Sequence, residues 1–125
     1  MGFNHDVRLW YIGGTPWENP EGFRQKSPYA HIAKVQTPTI IIHGENDTTD
    51  TVGQSMIFYQ GLKDRRVPVR FIRFPREPHG FREPAHQRIR DAEEISWLMK
   101  HTLGVDWKAP ERKDTKAEKK TTTTP

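Results

Sequence analysis

Apolar residues fall into short patterned stretches separated by Gly, Pro, Asn and Asp. Thr39-Ile40-Ile41-Ile42-His43 is a near-continuous β-branched run, the pattern of a parallel strand buried on both faces, and Gly44 breaks it. Thr51 followed three residues later by Gln54 is a capping-box signature. Val52, Met56, Tyr59 and Leu62 then recur at helical spacing, which predicts an amphipathic helix over 52–64. Residues 67–74 predict a second strand, and Pro68 with the interior Arg70 and Arg73 mark it as a partly solvated edge strand. A Pro- and Gly-rich loop fills 75–85. Ile89, Ala92, Ile95, Met99 and Leu103 line one side of a long helix over 86–102, and Gly104 is placed to end it. Upstream, Gly13-Gly14, Thr15-Pro16 and Asn19-Pro20 punctuate a loop in which Trp10, Tyr11 and Trp17 are aromatic anchors. Asn19 can cap a short helix with Pro20 at its first position, running to Lys26, and a further helical turn is expected at 29–33.

Strand, helix, strand, helix with short connections is a βαβα unit, so the fold class is α/β with parallel strands and a right-handed crossover. In such sheets functional residues gather beyond the carboxyl ends of the strands. Asp47 lies four residues past His43, and His79 five past Phe74. Parallel pairing puts both loops on one sheet edge, which brings residues 32 apart in sequence within hydrogen-bonding reach. An Asp followed by a His, each after a strand, is the second half of a Ser-His-Asp triad in the chain order of α/β-hydrolases. No Gly-x-Ser-x-Gly occurs in the 125 residues. Ser55, in Gly53-Gln54-Ser55-Met56-Ile57, begins like a nucleophile elbow, but Ile57 replaces the second glycine and the serine falls inside a helix. It reads as an ordinary helical serine, as do Ser27 and Ser96. Alternative roles stand beside the triad: His79 as a loop histidine without function, and Asp47 as an Asx cap on the following helix.

Composition narrows the function classes. With 33% apolar residues and a mean hydropathy of −0.89, the core should be thin. The net charge is +4, of which residues 108–125 supply +3 (six Lys/Arg against three Asp/Glu) and residues 1–107 only +1. The basic charge therefore belongs to a tail with too little apolar surface to order, and no folded basic face for nucleic acid is indicated. Cysteine is lacking, which excludes disulfides, a thiolate nucleophile and a Cys-based zinc site. It is compatible with a cytoplasmic location, as is the missing signal-peptide pattern. No apolar run reaches membrane-spanning length. The six histidines show no ligand spacing, and His43, beside a strand, reads as a packed or hydrogen-bonded structural residue. Arg73, Arg76 and Arg82 flank the His79 loop and are read as surface partners of Glu77 and Glu83 rather than as a substrate clamp.

Several blocks together carry a family resemblance: Gly13-Gly14-Thr15-Pro16-Trp17-Glu18-Asn19-Pro20, Ser27-Pro28, Thr37-Pro38 leading into the first strand, His43-Gly44-Glu45-Asn46-Asp47, Gln54-Ser55, and Phe74-Pro75-Arg76-Glu77-Pro78-His79-Gly80-Phe81. Over roughly residues 8–104 the chain resembles the carboxyl-terminal part of prolyl oligopeptidase-family serine peptidases, in particular the acylaminoacyl-peptidase and dipeptidyl-aminopeptidase-like branch. The resemblance implies an α/β-hydrolase catalytic domain with Asp47 as triad aspartate and His79 as triad histidine, no cofactor or metal, and a short peptide as substrate. It also implies that residues 1–107 form a carboxyl-terminal segment with an incomplete sheet, followed by a disordered tail over 108–125. The nucleophile serine, the oxyanion-hole donors and the central strands would lie upstream. The isolated chain is then expected to be inactive and to need that upstream part as its partner. The rival expectation is a non-catalytic remnant that binds a partner or completes a sheet. One departure from the family pattern stands out: Asp50-Thr51 occupies positions where Val-Pro is usual.

Overall fold

The computed structural model describes residues 10–111. The expected tail over 112–125 and the segment 1–9 lie outside the described residues; residues 108–111 have no regular secondary structure.

Asn19 caps helix α1 (Pro20–Lys26) as its sequence suggests. Its Oδ1 accepts the Gly22 amide at 2.9 Å, and its Nδ2 donates to the Ile12 carbonyl at 2.9 Å, tying residues 10–12, which are helical rather than the expected loop, to the start of α1. Glu21 and Arg24 pair along α1, and Arg24 together with Gln25 holds the Glu21 carboxyl down at about 2. Ser27 ends α1, and the expected helical turn is realised as two pieces, α2 (Pro28–His31) and a 3-10 turn (Ile32–Lys34). The expected aromatic anchors do not pack: Trp10 is 89% and Trp17 80% exposed. Tyr11 is also exposed, with the Lys26 ammonium 4.4 Å from its ring centre.

Strand β1 (Thr39–Gly44) and strand β2 (Val69–Phe74) run parallel in one two-stranded sheet, paired from Thr39 with Val69 to Gly44 with Phe74. Helix α3 (Val52–Asp64) connects them, and helix α4 (Pro84–Leu98) follows. Alternate strand residues face different helices. Ile41 shares a cleft with Ser55 and Phe58 of α3, and Phe71 stacks on Tyr59 at 5.6 Å. Ile40 and Ile42 share another cleft with Glu94 and Leu98 of α4, and Arg70 pairs with Glu93 at 2.8 Å. The sheet is thus layered between helices. With two strands among the described residues, β1 is half-buried along 39–43 rather than buried on both faces, which corrects the sequence expectation.

Two boundaries differ for identifiable reasons. Val67 and Pro68 do not join β2, because Val67 closes the end of α3 instead. The Val67 amide bonds the Leu62 carbonyl at 3.0 Å, the Arg66 amide bonds that of Lys63 at 2.9 Å, and Arg66 takes a left-handed φ of 60°. That is a Schellman closure with an arginine where glycine is usual, and Val67 is buried beside Leu62 in the small core. At the other end of α3, Thr51 occupies the cap position, but its side chain makes no capping bond, so the capping box does not form. Helix α4 starts at Pro84, earlier than the apolar spacing suggested, because proline suits a first helical position. Its last turn widens into a π-helical segment (Met99–Leu103), which Gly104 terminates with a φ of 68°.

Among the described residues Leu62, Val67 and Phe74 are the buried apolar ones, whereas Ile57, Ile89, Leu98 and Leu103 are exposed. The apolar side expected on the final helix is therefore largely uncovered. Among the described residues no helix is long and apolar enough to cross a membrane. Because Leu62 is fully buried where α3 closes, Leu62→Ala should cost about 2–5 kcal/mol. Urea denaturation followed by circular dichroism reads this directly, and a change under about 0.5 kcal/mol would refute this core assignment.

Candidate active site at the carboxyl edge of the sheet

The two loops that leave the sheet at the Gly44 and Phe74 ends meet through their main chains first. Glu45 donates its amide to the Phe74 carbonyl at 2.9 Å, and Asn46 donates to the Glu77 carbonyl at 3.0 Å. Gly44 makes this approach possible. A Cβ at that position would lie 2.3 Å from the Glu77 carbonyl oxygen and 2.6 Å from that of Pro78.

On this frame Asp47 and His79 come together. His79 Nδ1 lies 2.9 Å from Asp47 Oδ2. The other oxygen, Oδ1, accepts the amides of Thr49 and Asp50, both at 2.9 Å. Asp47 therefore closes an Asx turn within its own loop and partners His79 at once, one oxygen serving each purpose; it does not cap α3, whose N-cap position is Thr51. Its side chain is 6% exposed and that of His79 60%. Burial works to raise the Asp47 carboxyl. The Asp50 amide, the His79 ring and the Thr49 amide together outweigh it and hold the group below its ordinary 3.8. The hydrogen bond and charge of Asp47 raise His79 above its ordinary 6.5 against partial desolvation, and Asp50, with Oδ2 3.8 Å from Nδ1, adds a smaller pull.

His43 sits beneath this pair with both ring nitrogens occupied. Nε2 lies 2.9 Å from the Asp50 carbonyl, which can only accept, so Nε2 carries the proton and donates. Nδ1 then accepts from the Ser55 hydroxyl at 2.8 Å. Both residues fit their sequence reading: His43 is a hydrogen-bonded structural histidine, and Ser55 is a helical serine anchoring it. His43, Asp47, Asp50, Ser55, His79 and Phe81 line an open cleft of about 310 Å³.

Glu77 departs from expectation. Instead of pairing with an arginine at the surface it is 1% exposed. Its carboxylate accepts the Arg82 amide at 2.7 Å, the Glu83 amide at 3.0 Å and His86 Nδ1 at 2.8 Å. Burial works to raise this carboxyl, and those three donors hold it below the ordinary 4.5. Arg76, at a left-handed φ of 65°, makes the expected surface pair with Glu83 through two 2.8 Å bonds. Ligand atoms of Glu77, Glu83 and His86 lie within 4.8 Å of one another, but these internal bonds already engage them. Arg73 faces Glu45 at 3.6 Å. Nothing in the apolar pattern marks Glu77 as buried. The available signal was its place between two loop prolines, nine residues before a histidine on the next helix.

The match of residues 3–104 to the prolyl oligopeptidase family decides the kinship. The chain belongs to that family. It is 33% identical over 104 residues to a probable dipeptidyl-peptidase 5 of Aspergillus flavus and, equally, to the dipeptidyl-peptidase 5 of Aspergillus oryzae, covering 78% of this chain in each case. It is 30% identical over 93 residues, 71% of the chain, to the dipeptidyl-peptidase 5 of the bacterium Porphyromonas endodontalis. The aligned part is 14% of the length of each of these relatives. In this prolyl oligopeptidase-family chain the two-stranded parallel sheet and its flanking helices are a partial α/β-hydrolase fold.

Two outcomes follow from the geometry. Gly44→Ala should destabilise by at least the roughly 1–3 kcal/mol typical of overpacking, because the obstructing atoms, the carbonyl groups of Glu77 and Pro78, are main chain. A urea midpoint at the wild-type value would disprove the close approach. The second concerns pH. A histidine raised on folding contributes stability that is complete below 6.5 and is lost as pH climbs through its folded value. A lowered carboxyl contributes stability present above its ordinary value and lost as pH falls through the folded one. That loss begins near 4.5 for Glu77 and Glu83 and near 3.8 for Asp47. Thermal melts across pH should therefore peak between about 4.5 and 6.5, and His79→Ala should flatten the alkaline decline. A decline of unchanged size in that variant would refute the pairing.

Proposed function

We propose that this chain carries the aspartate and histidine of a Ser-His-Asp serine peptidase, with Asp47 as orienting carboxylate and His79 as general acid and base. The nucleophilic serine and oxyanion donors come from polypeptide outside these 125 residues. The observation that carries the reading is the 2.9 Å contact between His79 Nδ1 and Asp47 Oδ2, made by loops that leave two adjacent parallel strands. With Nδ1–H donated to the carboxylate, Nε2 is the nitrogen left to take a proton from a serine hydroxyl and return it to the departing amine. The carboxylate need not move a proton. It fixes the tautomer and stabilises the imidazolium that forms.

The substrate proposed is a short peptide from which a dipeptide is released. Dipeptide release is preferred over acylaminoacyl release because the similar fungal and bacterial proteins are named dipeptidyl-peptidases. The exposed Ile89, Ile95 and Leu98 of α4, beside the half-buried Ile40 and Ile42 of β1, fit a role as one part of a larger α/β-hydrolase sheet, since large exposed apolar groups mark surfaces that bind something. That observation fits equally a sheet-completing module without catalysis, which the same experiments separate.

The 125-residue chain alone should turn over no dipeptidyl chromogenic substrate. In the longer polypeptide that bears the serine, Asp47→Asn should lower kcat by roughly 10⁴-fold and His79→Ala by a comparable factor, with KM little changed. Full kcat in either variant would exclude these roles. Burst release by the isolated chain, lost on His79→Ala, would show that the nucleophile is not external. Complete inactivity of the longer polypeptide would favour the non-catalytic module.

A further inference from the structure

We infer that Glu77 is the positioning residue for His79: its buried carboxylate fixes the imidazole against Asp47 without touching it. The functional meaning of this role rests on the triad reading above; the geometry does not. His79 is 60% exposed, so its surroundings do not confine the ring, and its place is set by the loop that carries it. Glu77, two residues earlier, is 1% exposed and takes all its side-chain partners from beyond His79. Oε2 accepts the Arg82 amide at 2.7 Å, and Oε1 accepts the Glu83 amide at 3.0 Å and His86 Nδ1 at 2.8 Å. The carboxylate thus closes a ring of main chain with His79 inside it and pins that ring to the start of α4. The main-chain carbonyl of the same residue accepts the Asn46 amide at 3.0 Å, one position before Asp47. One residue therefore sets both how the His79 loop closes and how it sits on the Asp47 loop.

The arrangement suits an ionised carboxylate. The Arg82 and Glu83 amides donate to different oxygens, so the side-chain amide of a glutamine here would turn its own hydrogens towards one of these donors. The charged groups facing Glu77 are His86, Arg76 and, across the His86 ring, Glu83, which lies 3.5 Å from His86 Nδ1 and pairs with Arg76. The charged groups facing His79 are Asp47 and Asp50. Glu77→Gln preserves shape and removes the charge, so it tests that arrangement.

The test is a pH titration of the full chain labelled with ¹⁵N-histidine, reading the tautomer and titration midpoint of His79 by long-range proton–nitrogen correlation. Wild type should show the Nδ1-protonated tautomer and a midpoint above 6.5, with Asp47→Ala as the reference for lost pairing. Glu77→Gln should move His79 toward that reference, with a midpoint falling toward about 6.5 and mixed tautomers, while strand amide shifts persist. His86→Gln, which keeps a donor, should leave His79 as in wild type. A merely stabilising Glu77 would lower the melting temperature of the variant and leave the His79 midpoint and tautomer unmoved in its folded state; that result overturns the inference. If Glu77→Gln does not fold, His86→Phe removes a single donor from beside Phe74. There a partial fall of the midpoint supports the role, and an unchanged midpoint overturns it. Peptidase activity enters none of these readouts, so failure of the peptidase reading would leave the result standing.

Discussion

Parallel strands that end in register leave their following loops side by side, and here the two loops touch through main chain at Gly44. The pairing of Gly44 with Phe74 brings both chains to the same level. The missing side chain at Gly44 then admits the carbonyls of Glu77 and Pro78 to a space that a methyl group would occupy. Everything at the carboxyl edge depends on that approach. Without it the Asn46 amide would not reach Glu77, and Asp47, one residue later, would not face His79. The constraint is a steric one at a strand terminus, and two side chains from distant segments inherit their geometry from it.

The chain invests its few buried groups unevenly. Its apolar core is small, with Leu62 and Val67 closing α3 and Phe74 at the end of β2. Phe74 also lies under the site, with Phe81 at 4.9 Å and His86 at 5.2 Å. The most buried polar group, Glu77, stands at the same edge, and no buried side-chain polar atom is left without a partner among the described residues. A buried carboxylate costs stability unless its lone pairs are met, and here three donors meet them. The site edge is accordingly the best-determined part of a molecule whose flanking helix faces are open to solvent. That distribution suits a segment whose apolar faces meet other surfaces while its site loops are set internally.

Most of the architecture was legible because it rests on periodicity. The β-branched run at 39–43, the helical spacing over 52–64 and the glycine at 104 each specify local structure through one dominant preference, and β1, α3 and the left-handed end at Gly104 follow. Pattern failed where one residue had to choose between two partners. Val67 has the β-branched character of a strand residue, yet its amide completes the Schellman closure at Leu62. Thr51 and Gln54 match a capping box, but the side-chain bond does not form and the Gln54 amide bonds the Thr51 carbonyl instead. Asp47 and His79 could be paired from the α/β topology alone, because parallel strands send their loops the same way. Glu77 could not, because its burial depends on the path of a loop that no repeating pattern governs.

Asp50-Thr51, where the family pattern has Val-Pro, leaves the loop shape intact, and the bonding pattern shows why. Asp50 holds the site through its main chain: its amide goes to Asp47 Oδ1 and its carbonyl to His43 Nε2. Any residue other than proline can make both bonds, so a different side chain at 50 leaves the loop intact. Thr51 likewise contributes no capping bond that its replacement would remove. What the aspartate changes is charge, since its carboxylate adds to Asp47 in favouring protonated His79. A general base acts best with a pKa near the working pH. A second carboxylate makes the imidazolium easier to form but leaves a smaller fraction of the ring neutral, and so able to accept a proton, at neutral pH. The carboxylate at 50 therefore adds to the pull of Asp47 on His79 without altering the geometry that Gly44 and Glu77 impose.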